Sequence, residues 1–406
     1  MNKNIKLAVA GAVLALSASA ANAGIIIPAG EWTVDIGGNV NTYATWSKAS
    51  GNATIGSSTG VEVGAGHNTT NGFGNGLLPN FLSVSGSTRQ NDLDVSFTIS
   101  IQPGSAHRTP LGVGNDGGIN NRQSFITFGD KSWCSVKVGK DLGIFASDAI
   151  LSDMTLLGVG AGTPGAGNTS LGRIGYGYMY ADWKPQISYT TPNMNGFQAT
   201  VGVSQAFIAT TTLKNNVGSG STYTAGATNA SPAYEGKASY SFNANDVTGK
   251  IWVSGIAQQM KGVGFDDRDA WSADIGANVN VAGLGLTGYY YAGEGTGTTF
   301  MFNNGYSAAG KKRDSDGGYV QATYVLPTKT KVGASWGISN LDLASGTDTA
   351  SNTLLVKENE MWTLGAYHPL TKHLNLVAEY NNVESKSHSN VEGKTRAVSL
   401  GAILFF

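Results

Sequence analysis

The chain has little of what usually holds an exported or membrane protein together. Of its 406 residues only Cys134 is a cysteine, so no internal disulfide can staple the fold. Beyond the extreme amino terminus no stretch approaches 18 consecutive apolar residues, which excludes a transmembrane helix. Charge is sparse, at 13% of residues, and balanced, with 26 basic against 27 acidic side chains. That is too little charge for a disordered acidic or basic tail, and it lacks the basic excess of a nucleic-acid binder. What the chain has instead is glycine, 57 residues of it, and a hydrophobic fraction of 41%, slightly low for a soluble core.

The first 23 residues read as a secretory signal peptide. Lys3 and Lys6 form a positive start, Leu7 to Leu16 is an apolar run, and Ala21-Asn22-Ala23 offers the small-x-small cleavage pattern. The apolar run is about half the ~20 residues a spanning helix needs. The expected organisation is therefore a signal peptide, 1–23, removed on export, and one domain, 24–406.

Period two dominates the rest of the chain. Trp32, Val34, Ile36, Val40, Ala44 and Trp46 alternate with Thr33, Asp35, Asn39, Asn41 and Thr45. Leu93, Val95, Phe97, Ile99 and Ile101 alternate with Asp94, Ser96, Thr98, Ser100 and Gln102, and the pattern recurs at 271–279 and 330–338. Such residues would scatter around a helix but separate cleanly onto the two faces of a strand. Since lipid leaves no backbone group unpaired, an exported all-β chain of this kind is a sandwich or a closed membrane barrel.

The connections discriminate between these. Strands are expected at 31–48, 80–87, 92–102, 120–129, 132–140, 172–191, 196–206, 234–243, 246–258, 270–281, 284–293, 317–326, 329–339, 361–368, 372–384 and 395–406, which makes sixteen, or eighteen if 172–191 is two strands. Long gaps rich in Gly, Ser, Thr and Asn alternate with tight turns such as Gly129-Asp130-Lys131-Ser132 and Asn243-Ala244-Asn245-Asp246. Long loops on one side and short turns on the other are what an antiparallel up-and-down outer-membrane barrel requires, with long extracellular loops and short periplasmic turns. Aromatics near strand ends, among them Trp32, Trp46, Trp133, Tyr380, Phe405 and Phe406, suit an interfacial girdle.

Several segments resemble the general porins of Gram-negative outer membranes, of β-proteobacterial type. Asn121-Arg122-Gln123-Ser124-Phe125-Ile126-Thr127-Phe128-Gly129 followed by Val136-Lys137-Val138-Gly139-Lys140 is similar to the family's Arg-containing strand, tight turn and strand into the third loop. Ser188-Tyr189-Thr190-Thr191-Pro192 with Gly196-Phe197, and Tyr324-Val325-Leu326-Pro327-Thr328-Lys329-Thr330, resemble two of its hairpins, and Phe406 its terminal Phe. The resemblance implies a homotrimer in outer-membrane lipid and lipopolysaccharide, passive diffusion of small hydrophilic solutes and ions, and a third loop folded into the lumen.

Sixteen strands leave an aqueous channel. Asp35, Asn39, Asp94, Ser135, Lys137, Asp274, Asn278, Gln321, Lys331 and Glu379 fall on its polar phase. The third loop, expected at 141–171, carries Asp141, Asp148 and Asp153 as candidate constriction acids. By resemblance, Arg122, Lys137 and Arg173 are the candidate basic wall residues opposite. Arg122 shares phase with Ile126 and Phe128, which points it outward unless the strand carries a bulge. Opposed charges of this kind make a transverse field that filters ions.

Other motifs are quiet. Gly56-Ser57-Ser58-Thr59-Gly60 matches a nucleophile elbow in letters but lies in a low-complexity loop. Gly158-Val159-Gly160-Ala161-Gly162 lacks the Lys-Ser/Thr of a phosphate loop and reads as pliability within the third loop. The five histidines lack metal-ligand spacing. No enzyme, metal or cofactor is implied. The alternatives to general diffusion are a channel selective for organic or aromatic acids, suggested by Tyr176, Tyr178, Tyr289, Tyr291 and Tyr319, and a surface adhesin or structural barrel.

Overall fold

The structure, a computed structural model, describes residues 24–51, 68–105, 118–162, 168–207, 210–216, 219–224, 231–260, 269–307, 309–344, 348 and 354–406. The expected signal peptide and the Gly56–Gly60 motif lie outside the described residues.

Sixteen strands form the wall: β1 Trp32–Gly51, β2 Phe81–Gln90, β3 Leu93–Pro103, β4 Ser124–Asp130, β5 Cys134–Leu142, β6 Trp183–Thr190, β7 Phe197–Ser204 and β8 Ala233–Ala244, then β9 Val247–Gln259, β10 Asp269–Val281, β11 Leu284–Glu294, β12 Asp314–Val325, β13 Lys331–Leu341, β14 Val356–Pro369, β15 Leu374–Ser387 and β16 Glu392–Phe405. Each pairs antiparallel with the next, and β16 returns to β1 in register from Asn39↔Phe405 to Gly51↔Gly393. The remaining pairings, β8 through β16, complete the cylinder. Closure removes every sheet edge, which is the condition for putting strands in lipid.

Period-two patterning decides which face is which. In β10, Ile275 is 53% exposed on the outside while its neighbour Asp274 is 6% exposed within. Trp46, Val201, Ile251, Val320, Leu364 and Leu400 join the outward apolar surface, while Ser, Thr, Asn and Gln fill the inward phase. Two-residue turns close two hairpins at the end of the barrel that has the short connections: Asn91-Asp92 and Ala282-Gly283 each have both central residues at positive φ, the twist that matches two flanking strands.

All sixteen expected strands are present, and short extra strands stand in stretches expected as loop, among them Asn68–Gly74, which pairs with β1, and the hairpin Thr210–Asn216 with Ser219–Thr224; other details also differ from expectation. The segment 172–182 is not strand: the alternation of Tyr176 and Tyr178 reflects residues buried inside the cylinder, and Gly172, Gly175 and Gly177 at positive φ break the extended run. The third loop is therefore 143–182, and the wall has sixteen strands, not eighteen. Phe405 faces inward at 5% exposure and does not belong to the girdle. Before the wall begins, Ile25–Ala29 folds back on Trp32–Ile36 as a short extra strand.

Candidate pore constriction

A chain segment that leaves the wall and crosses the lumen at membrane depth carries backbone groups no ladder will satisfy, so it survives only where the wall supplies partners. The third loop meets this need at several points among its described residues. At its start the N–H groups of Ile144 and Phe145 both donate to Glu235 Oε2 of β8, each at 2.9 Å, and that of Ala146 donates to Asp274 Oδ2 of β10 at 3.2 Å. A short helix, α1 Ser147–Ser152, comes next. Tyr319 of β12 donates its hydroxyl to the Ala149 carbonyl at 2.8 Å, and Gln321 accepts the Met154 N–H at 2.6 Å while donating to the Ser152 carbonyl at 3.1 Å. Across the barrel Tyr43 donates to the Leu157 carbonyl at 2.6 Å, and Glu379 Oε2 of β15 accepts from Val159 and Gly160 at 2.8 and 2.9 Å.

The last of these contacts explains the glycine run. A β-carbon on Gly158 would sit 1.9 Å from Glu379 Oε1, and Gly160 holds φ +59°. The turn presents successive N–H groups to an anion, as phosphate-binding turns do, and the anion is the chain's own carboxylate. Apolar packing reinforces the polar tethers: Phe145, Ala146, Ala149 and Ile150 bury against Trp252, Ile256, Tyr289, Tyr291 and Tyr319 of the wall. Tyr176, Tyr178, Tyr291 and Tyr319 are each no more than 2% exposed. They are packing for the loop and do not line a passage for aromatic solutes.

The six candidate charges are placed as follows. Asp141 is a wall residue near the end of β5, 1% exposed, ion-paired to Lys137 and accepting from Gln123 Nε2 at 2.9 Å. Asp148 lies on α1 between two wall lysines, 2.8 Å from Lys237 Nζ of β8 and bonded to Lys250 of β9. Asp153 is buried, accepting from the Thr155 hydroxyl at 2.6 Å and the Tyr178 hydroxyl at 2.9 Å, with Arg173 Nε at 3.8 Å. Lys137 faces inward as expected. Arg173 is not on the wall but on the loop, fully buried, donating to the Met361 carbonyl at 3.0 Å, to Thr363 Oγ1 at 3.2 Å and to Ser335. It is a tether from loop to wall. Arg122, just ahead of β4, is half-buried with its guanidinium 5.9 Å from the Trp183 ring, and among the described residues it makes no ion pair with Asp141, Asp148 or Asp153.

The wall bases opposite α1 are not among the charges singled out from the sequence. Lys237 and Lys250 stand on the polar phase of two clearly alternating strands, and that phase is the signal that could have found them. The exposures of the paired groups divide by sign. Side chains of Lys137, Lys237 and Lys250 are 20%, 21% and 30% exposed, whereas those of Asp141 and Asp148 are 2% and 8% exposed. Among the described residues no group of three or more His, Cys, Asp or Glu side chains is arranged to hold a metal ion.

A second loop, 295–313, also folds inward. Its Thr296, Thr298, Thr299 and Phe302 are nearly or fully buried; the Thr299 carbonyl accepts the Tyr180 N–H at 2.8 Å, and Phe302 packs on Phe207 with ring centroids 5.4 Å apart. Its end is latched by Arg313, which donates to Asp348 through Nε at 2.6 Å and Nη2 at 2.8 Å and to the Asn304 carbonyl at 2.8 Å.

Against known proteins, a family model described as Gram-negative porin matches residues 9–388. No curated protein sequence matches the chain. Among solved structures it is similar to the outer membrane channel DcaP of Acinetobacter baumannii, with a TM-score of 0.65 at 17% identity over 95% of this chain and 100% of that one. It is also similar to the anion-selective porin from Comamonas acidovorans, with a TM-score of 0.60 at 15% identity over 93% and 100%. The trimer form of the Vibrio cholerae outer membrane protein OmpT gives a TM-score of 0.52 at 14% identity over 92% and 99%.

Proposed function

The chain belongs to the Gram-negative porin family and is a passive-diffusion channel of the outer membrane, not an enzyme; from that premise we propose that it passes small hydrophilic solutes and ions with a preference for anions, set where the third loop meets the wall. The observation that carries this reading is the division of exposure by sign. One buried carboxylate, Asp148, is shared by two lysines whose side chains are partly exposed, Lys237 and Lys250, and Lys137 is more exposed than its partner Asp141. The group of two lysines and one carboxylate carries a net positive charge toward water, and a positive rim raises the local concentration of anions. Asp141, Asp148 and Asp153 then act by holding bases and loop in place, and Arg173 by anchoring the loop.

The same reading includes export by a signal peptide cleaved after Ala23 and assembly as a homotrimer surrounded by outer-membrane lipid and lipopolysaccharide. The family and the trimer form of Vibrio cholerae OmpT support the trimer. The test is the zero-current potential of the purified protein in a planar bilayer under a salt gradient. An anion-selective sign is expected; a cation-selective sign overturns the proposal, and absence of any conductance overturns the open channel and favours a structural or adhesive barrel.

A further inference from the structure

Five lysines point from the strands into the lumen, and four of them hold a carboxylate: Lys137 with Asp141, Lys184 with Glu235, and Lys237 and Lys250 with Asp148. The fifth, Lys331, has no ion pair or hydrogen bond among the described residues. It opens β13 just after the turn from β12 and stands opposite Tyr367 of β14, its Nζ 5.1 Å from the centroid of that ring. The ring is fixed from behind, because its hydroxyl donates to Glu379 Oε1 at 2.7 Å. On the same inward phase Gly333 faces Gly365, and β-carbons there would lie 3.2 and 2.8 Å from Met154 Cε, so the third loop rests on the wall beside Lys331. Thr323 of β12 closes the other side, its Cγ2 2.8 Å from a β-carbon on Gly333. Asp153 is the one carboxylate whose charge acts on Lys331; it lies beyond ion-pair distance and is already held by Thr155, Tyr178 and Arg173.

Lys331 is half-buried, and Ser152 and Leu156, on either side of Met154 in the loop, are partly exposed, so lumenal water reaches this corner. A half-buried ammonium without a carboxylate gives up hydration and regains only the attraction of a ring face. An anion arriving from solution completes the site. We propose that Lys331 binds small oxyanions, the phosphate or carboxylate groups of passing solutes, in a corner walled by the Tyr367 ring, Met154 and Thr323. The proposal deepens the anion reading and rests on it. Lys237 and Lys250 attract anions, but Asp148 already occupies both of them. Lys331 has no such internal competitor, so an anion that has passed the rim dwells there, toward the end of the barrel with the short connections. Dwelling at one site makes passage saturable.

The first measurement needs no variant. Purified wild-type protein is acylated with a small activated ester in sodium phosphate, sodium acetate or sodium chloride of equal ionic strength, and modification is read lysine by lysine by mass spectrometry. The exposed Lys329 and Lys372 serve as internal standards. At an oxyanion concentration twice the dissociation constant, Lys331 is expected to react roughly threefold more slowly in phosphate and in acetate than in chloride. Equal rates in all three salts overturn the site. In planar bilayers, wild-type conductance is expected to saturate with rising potassium phosphate, to stay proportional to concentration in Lys331→Gln, and to saturate again in Lys331→Arg. Saturation unchanged in Lys331→Gln also overturns the site, even where the zero-current potential remains anion-selective. A cation-selective wild type overturns the anion reading instead, and because protection of Lys331 is read without current, the two failures are told apart.

Discussion

Glu379→Gln isolates the tether that holds the far end of the third loop. Glu379 is 3% exposed; one oxygen accepts the N–H groups of Val159 and Gly160, and the other accepts the Tyr367 hydroxyl at 2.7 Å. Glutamine has the same shape, so its carbonyl oxygen can face the two N–H groups while its amide turns to Tyr367, and only the charge is lost. Hydrogen bonds to charged acceptors contribute about 1.5–3 kcal/mol each, against about 0.5–1.5 kcal/mol for neutral ones. Two bonds weakened by about 1 kcal/mol apiece raise the local opening constant roughly 30-fold. Hydrogen exchange resolved at Val159 and Gly160 reads that opening directly. Their amides are expected to exchange about 30 times faster in the variant while amides of β15 and β16 keep their wild-type rates. Gly158→Ala, whose β-carbon would strike the same carboxylate, is expected to reproduce the effect. Unchanged exchange at Val159 and Gly160 would refute the tether, and acceleration spread evenly over the wall would show that Glu379 supports the whole barrel instead.

Lys237→Gln with Lys250→Gln removes the two partly exposed bases beside α1; a charge ~7 Å from a passing ion contributes about 0.6 kcal/mol in water, so the anion-to-cation permeability ratio should fall several-fold, as read from the zero-current potential. Asp148→Asn should move that potential the opposite way, since it unmasks the same lysines. Arg313→Ala leaves Asp348 as a buried charge without its bidentate partner, a change that typically costs about 3–5 kcal/mol; limited proteolysis from the extracellular side should cut within 295–313 faster, with no loss of barrel. His388, in the turn between β15 and β16, bonds the Leu341 carbonyl at 2.8 Å, and burial holds its imidazole below the ordinary value near 6.5. The unfolded chain therefore takes up the proton first: the contribution of His388 is complete above that value and is lost as pH falls toward the folded one. Thermal stability should fall as pH drops below about 6.5 in wild type, and that slope should be lost in His388→Gln.

How far the residues announce this structure depends on whether a constraint is local. Alternation along 32–46, 93–102 and 271–279 reports lipid on one side and polar surroundings on the other, so the strands, their number and the loop asymmetry are legible from pattern alone. The same parity rule sets Arg122 in phase with Ile126 and Phe128, against the family's expectation of a wall base. It fails at 172–182, where Ile174, Tyr176 and Tyr178 alternate because they pack within the lumen; positive-φ glycines at 172, 175 and 177 are the signal that the chain turns there. Asp141, Asp148 and Asp153 are legible as acids of the right region but not as buried ones. Their burial depends on Lys137, Lys237, Lys250 and Arg173, three of which reach them from elsewhere in the sequence or the sheet. Gly158-Val159-Gly160 has no phosphate-loop lysine and so looks inert as a motif. Its geometry is that of an anion-binding turn, and nothing near it in sequence reveals that the anion is Glu379, some 220 residues away.

The distribution of charge in the lumen follows from a structural need, and selectivity follows from the distribution. A loop suspended across a barrel offers unpaired N–H groups wherever it bends, and a carboxylate can accept two of them without the geometry of a strand. Glu235 and Glu379 are used in this way on opposite parts of the wall and Asp274 accepts a single loop N–H between them, each carboxylate 6% exposed or less. Glu235 is further neutralised by Lys184 at 2.6 Å, both groups being buried. Suspension therefore draws acids inward and out of contact with the passage. The lysines that answer Asp148 have long flexible stems, and their side chains stay partly in water while the carboxylate is buried. Replacing Glu235 with Gln should thus act twice, loosening the Ile144–Phe145 tether and leaving Lys184 as an additional uncompensated cation. Anion preference should rise together with exchange at Ile144 and Phe145, and a change in one without the other would separate suspension from selectivity.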